Sequence, residues 1–137
     1  MSNVPPELRT QTKFELGIRA NRLAKYTVRI CSNEKNFPKR YRWCLTYKIV
    51  ENAVEISCDI KRANAVFVQT KADWTLRRSY QKKAKADLAA LVELIEIAKY
   101  IFNVPGDRMN YWCGLIDGVK TLLKSWMESD EKRYAKI

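Results

Sequence analysis

From Leu45 onward, apolar residues return every three or four positions, at Leu45, Ile49, Ala53, Ile56, Ile60, Ala63 and Phe67. That spacing places them along one side of an α-helix. Just upstream, Phe37-Pro38-Lys39 supplies a start, because proline's fixed φ suits a first helical turn, where its missing N–H would be unpaired anyway. A second set, Trp43, Tyr47, Val50, Val54 and Cys58, fills the neighbouring sector and leaves only the wedge of Lys48, Glu51, Glu55, Asp59 and Arg62 for water. A helix apolar over more than half its circumference packs on partners from two directions. Two readings stay open: the central helix of one bundle, or a helix that also lines a contact between subunits.

The same period predicts three more helices. Helix one runs from Thr12 to Cys31, with Leu16, Ala20, Leu23, Ala24, Thr27, Ile30 and Cys31 on its inner side. Helix three follows the fading of helix two at Gln69-Thr70, is capped by Thr70 or Asp73, and carries Leu76, Tyr80, Ala84, Leu88, Leu91, Ile95, Ala98 and Phe102 inward. Asn103-Val104-Pro105-Gly106 breaks the chain, and Asp107 can cap a fourth helix with Met109, Trp112, Ile116, Val119, Leu123 and Trp126 in its stripe. Gly114 and Gly118 stand beside that stripe, four residues apart, a spacing that lets another backbone approach closely. Short connections favour antiparallel neighbours, so the expected fold is an all-α, up-down-up-down four-helix bundle over 13–128, after a flexible lead-in (1–12) and before a frayed, charged tail (129–137).

Composition narrows the function. Only four glycines and four prolines occur in 137 residues, which suits a few long helices. There is no histidine, and Cys31, Cys44, Cys58 and Cys113 are dispersed, with no zinc spacing and no C-x-x-C pair. Paired carboxylates and a glycine-rich phosphate loop are also missing, so neither catalysis nor a metal or cofactor is expected, and the cysteines read as buried free thiols. No apolar run approaches the ~20 residues of a membrane span, and the N-terminus does not resemble a signal peptide. A cytoplasmic protein without membrane contact is expected.

Charge adds the functional hint. The net charge is +11, from 26 Lys+Arg against 15 Asp+Glu, and the excess falls on the predicted helices. A folded basic surface attracts polyanions, most often nucleic acid; the alternative is a protein that is merely soluble and cationic. Arg19, Arg22, Lys25 and Arg29 share one sector of helix one, where Glu15 is the sole carboxylate. Early helix three offers Arg78, Lys82 and Lys85 opposite its apolar stripe, with Arg77 close by, and turns acidic at Glu93 and Glu96. These eight cations are the candidate phosphate contacts for RNA, or for DNA. Few aromatics interleave them, so stacking on bases is expected to add little.

Phe37-Pro38-Lys39 with Arg42-Trp43 and Leu45, the Ile49/Ala53/Ile56 stripe, and Gly118-Val119-Lys120-x-Leu122-Leu123-x-x-Trp126-Met127 together resemble a small four-helix-bundle family. It has two branches, the accessory variability determinant (Avd) of diversity-generating retroelements and a protein encoded in intervening sequences of bacterial ribosomal RNA genes. The resemblance covers about residues 14 to 127, and its ending at Trp126 is similar to Avd, whereas Glu93-Leu94-Ile95-Glu96-Ile97-Ala98-Lys99 resembles the ribosomal branch. It implies a bacterial or phage-encoded, barrel-shaped pentamer, in Avd a partner of both a reverse transcriptase and RNA. Two arginines that Avd-like sequences often carry in helix three correspond here to Val92 and Glu96. The candidate subunit interface is Trp43, Tyr47, Val50 and Val54 of helix two with Gly114 and Gly118 of helix four.

Overall fold

The computed structural model describes residues 6–137, with side chains from residue 13 onward. Among the described residues it is all-helical and strand-free: α1 (Pro6–Cys31), α2 (Tyr47–Ala65), α3 (Lys71–Ile101) and α4 (Gly106–Tyr134). A 3-10 turn (Lys39–Tyr41) and a π-helical turn (Arg42–Thr46) lead into α2. The first five positions of the expected lead-in lie outside the described residues, and the rest of it belongs to α1. No helix of the described chain is long and apolar enough to cross a membrane.

α1 and α3 each pack on α2 and on α4, with the broadest contact between α2 and α3. The buried stripes alternate steps of four and three: Leu16, Ala20, Leu23, Thr27 and Ile30 in α1, and Met109, Trp112, Ile116, Val119, Leu123 and Trp126 in α4. Such 3.5-residue spacing is the pattern of closely aligned helices. Burial of each large side chain contributes about 1.5–3 kcal/mol. Two polar groups inside this core pair with one another: Trp112 Nε1 donates to Thr27 Oγ1 at 3.0 Å, and that hydroxyl donates to Leu23 O at 2.8 Å.

The two ends of the α3–α4 pair are held by different chemistry. Where α3 ends and α4 begins, Phe37 lies 4.9 Å from Phe102 and 6.2 Å from Trp112, Tyr41 lies 5.3 Å from Phe102, and Tyr26 lies 4.8 Å from Tyr111 (centroid distances). Where α3 begins and α4 ends, arginine and aspartate take over, as described below.

Several expectations need correction. Pro38 precedes a 3-10 turn, not an α-helix; the chain widens through the π turn and becomes α-helical at Tyr47. This detour seats Phe37 in the core while Trp43 faces out. α2 ends at Ala65, Val66 is extended, and Phe67 is 77% exposed instead of inward. In α3 the inner stripe continues back through Gln81 and Arg77, leaving Leu76 exposed. Pro105, with no side-chain hydrogen bond, occupies the position before α4, so Asp107 lies in the first turn instead of capping it. The tail does not fray at 129: α4 continues to Tyr134 because Asp130 is fully buried against α3. Of the four free thiols only Cys31 is buried, and Cys44 is exposed.

Candidate nucleic-acid interface

The basic sector of α1 emerges as expected from its phase. Leu16, Ala20 and Leu23 point inward, which turns Arg19, Arg22, Lys25 and Arg29 outward, and all four are exposed. Arg19 differs from the rest: its Nε is 2.9 Å from Glu15 Oε1. A Cβ built on Gly118 would also stand 3.0 Å from Arg19 Nη1. Gly118 is therefore partly covered by the Arg19 side chain of the same chain. Arg22, Lys25 and Arg29 form no ion pair among the described residues. They are an uncompensated run of three cations.

Early α3 divides. Lys82 and Lys85 are exposed and form no ion pair among the described residues. Arg77 does not belong with them. It is 3% exposed, and its Nε and Nη2 donate to Asp130 Oδ2 and Oδ1 at 2.8 and 3.1 Å. Its guanidinium also lies 5.0 Å from the centroid of Trp126, and Gln81 Nε2 donates to the same carboxylate at 2.8 Å. A charge so enclosed cannot reach a phosphate. Arg78 is mostly covered too: it stacks 4.5 Å over Trp74, and Nη2 donates to Met127 O at 3.0 Å and to Glu131 Oε2 at 2.6 Å. Both arginines spend their donors joining α3 to α4. Since α1 and α3 sit between the same two neighbours, their outward faces form two separate patches, not one.

A further cluster links α2 to α3. Lys83 Nζ lies 3.0 Å from Asp87, 3.1 Å from Asp59 and 3.3 Å from Glu55, and Arg62 Nη1 lies 2.7 Å from Asp59. Asp59 is fully buried, which overturns its place in the solvent wedge. Hydrogen bonds that it donates to Asp87 and then to Asp59 hold the Lys83 ammonium above the usual lysine range. Burial, opposed by Lys83, pushes the Asp87 carboxyl up. Three carboxylates with two cations already among them form an internal tie.

On the candidate subunit face, Trp43 is 89% exposed and Tyr47 and Val54 are also exposed, whereas Val50 is half-buried against the core. Gly114 is open, with nothing within 4 Å of a built Cβ. The sequence reading passed over a cleft between α1 and α2, lined by Lys13, Phe14, Ile18 and Lys61. Its signal was there: Phe14 and Ile18 stand four apart but outside the inner stripe. Set against known proteins, the chain matches no family model, no curated protein and no solved structure.

Proposed function

We propose that this chain is a non-enzymatic, basic accessory protein that binds RNA, or DNA, through the outward face of α1. The carrying observation is the run of Arg22, Lys25 and Arg29, exposed and without an ion-pair partner among the described residues. Leaving three like charges uncompensated on one helix face is unfavourable by itself and becomes favourable beside a polyanion. Lys82 and Lys85 form a second, smaller patch on the opposite side.

The same reading includes an up-down-up-down course of the helices. It is supported by pairs that run in opposite order along neighbouring helices, Tyr26 with Tyr111 and Arg19 with Gly118 for α1 and α4, and Arg77 with Asp130 and Arg78 with Met127 for α3 and α4. It also includes assembly of five copies through the exposed Trp43, Tyr47 and Val54. A reverse transcriptase of a diversity-generating retroelement is the proposed protein partner in the cytoplasm of a bacterial host, on the strength of the resemblance of the Phe37–Leu45 and Gly118–Met127 motifs.

RNA affinity measured against salt tests the reading. Affinity should fall steeply as salt rises, because neutralised phosphates release counterions. Replacing Arg22, Lys25 and Arg29 together by alanine should flatten the log–log slope by roughly two, at ~0.7 per single-strand phosphate contact. Unchanged affinity and slope in that variant would leave a protein-interaction bundle, for which exposed Trp43 and Tyr47 already speak.

A further inference from the structure

Between the start of the described α1 and the last turns of α2 lies an open cleft of about 800 Å³, within the size range of ligand sites. Phe14 and Ile18 line one wall, Cys58 and Lys61 the other, and Lys13 and Trp126 also reach it. Phe14 is 69% exposed, a large cost for a residue with no part in the core. At Gly17 nothing lies within 4 Å of a built Cβ, so the backbone of α1 is uncovered here.

The rim is cationic. Lys13, Lys61 and Arg62 line the cleft, and among the described residues no carboxylate does. Arg62 is held by Asp59 and Glu55, but Lys61 forms no ion pair among the described residues. Burial, and next the nearby Arg77, lower the pKa of Lys13 below the ordinary lysine value, with Asp130 opposing. Positive charge is therefore in surplus beside apolar walls. A second copy of the chain presenting this face would meet like charge with like, whereas a nucleotide offers a flat ring and an anion together.

Phe14, Ile18, Arg22, Lys25 and Arg29 succeed one another at steps of three and four, so one line along α1 runs from the cleft into the cationic face over ~22 Å. We propose that the cleft receives an unpaired base of single-stranded nucleic acid, stacked on Phe14 with its flanking phosphates held by Lys13 and Lys61, while the strand continues over Arg22, Lys25 and Arg29. This rests on the nucleic-acid reading above, departs from the expectation that stacking adds little because Phe14 lines the cleft, and adds a preference for single strands, since a base held within a duplex cannot enter.

The test compares two strands of equal length and phosphate number at matched salt, one bearing bases and one built from abasic spacers. The base-bearing strand should bind the parent protein roughly five- to 150-fold more tightly, the span that stacking of one base accounts for. Phe14→Ala should remove that difference and leave the abasic affinity unchanged, while Phe14→Trp should keep it. Equal binding of both strands by the parent overturns the cleft proposal and leaves the phosphate-binding face standing. A smaller assembly for Phe14→Ala by light scattering would show that a second copy fills the cleft, which also overturns it. Failure of both strands to bind removes the nucleic-acid reading itself.

Discussion

Arg77, Gln81 and Asp130 put charge and amide groups where a bundle ordinarily puts leucines. Removing one partner strands the other's charge in a buried site, so Arg77→Ala or Asp130→Ala should cost about 3–5 kcal/mol in urea unfolding. A double variant, Arg77→Met with Asp130→Leu, should recover most of that loss, because the penalty lies in the orphaned charge. The thiols differ in the same local way. Burial pushes Cys31 up to about 12, whereas Cys44 is exposed, so a thiol reagent at neutral pH should label Cys44 first and Cys31 only after unfolding. Polar burial of this kind was legible only through phase. Counting back from Ala98, Ile95, Leu91, Leu88 and Ala84 in alternate steps of three and four lands on Gln81 and Arg77, and counting forward along α4 from Trp126 lands on Asp130. There the period conflicts with the polar character of the side chains, and apolar character alone points to Leu76 and Tyr80. Asp59 was lost for a similar reason, since one of its two partners, Lys83, lies on another helix.

The start of α3 shows an element specified almost wholly by local residues. Thr70 Oγ1 accepts from Asp73 N at 3.2 Å, and Asp73 Oδ2 accepts from Thr70 N at 3.1 Å and Gln69 N at 3.0 Å. Thr70→Ala should cost about 1 kcal/mol by thermal unfolding. The two backbone donors hold Asp73 below its ordinary value of 3.8, so its contribution is complete above that pH and is lost as pH falls through the lowered value. Asp73→Asn should accordingly make the acid limb of the stability curve shallower. The beginning of α2 was not legible, because a π turn inserts a residue that no regular period anticipates. The end of α4 hid behind a run of charges, Asp130-Glu131-Lys132-Arg133, one of which proved structural. Truncation after Glu128 should therefore destabilise the protein markedly, where loss of a frayed tail would leave it unchanged; circular dichroism melting decides.

For the whole molecule, the four-helix plan was readable because each apolar stripe is long and the Pro105-Gly106 break is sharp, while its outer surface was readable mainly as charge. Exposed Trp43 and Tyr47 make one prediction at this scale: Trp43→Glu with Tyr47→Glu should convert an assembly into monomers in light scattering and leave helicity intact. The contrast between the two ends of the α3–α4 pair carries another consequence, one of temperature. Apolar burial, which holds Phe37, Tyr41, Phe102 and Trp112 together, weakens on cooling. The desolvation penalty of ions such as Arg77 and Asp130 instead falls on heating. Cold should therefore loosen the aromatic end first and warmth should spare the ionic one, so that amide exchange compared at two temperatures should find the aromatic end losing protection on cooling while the ionic end keeps its protection on warming.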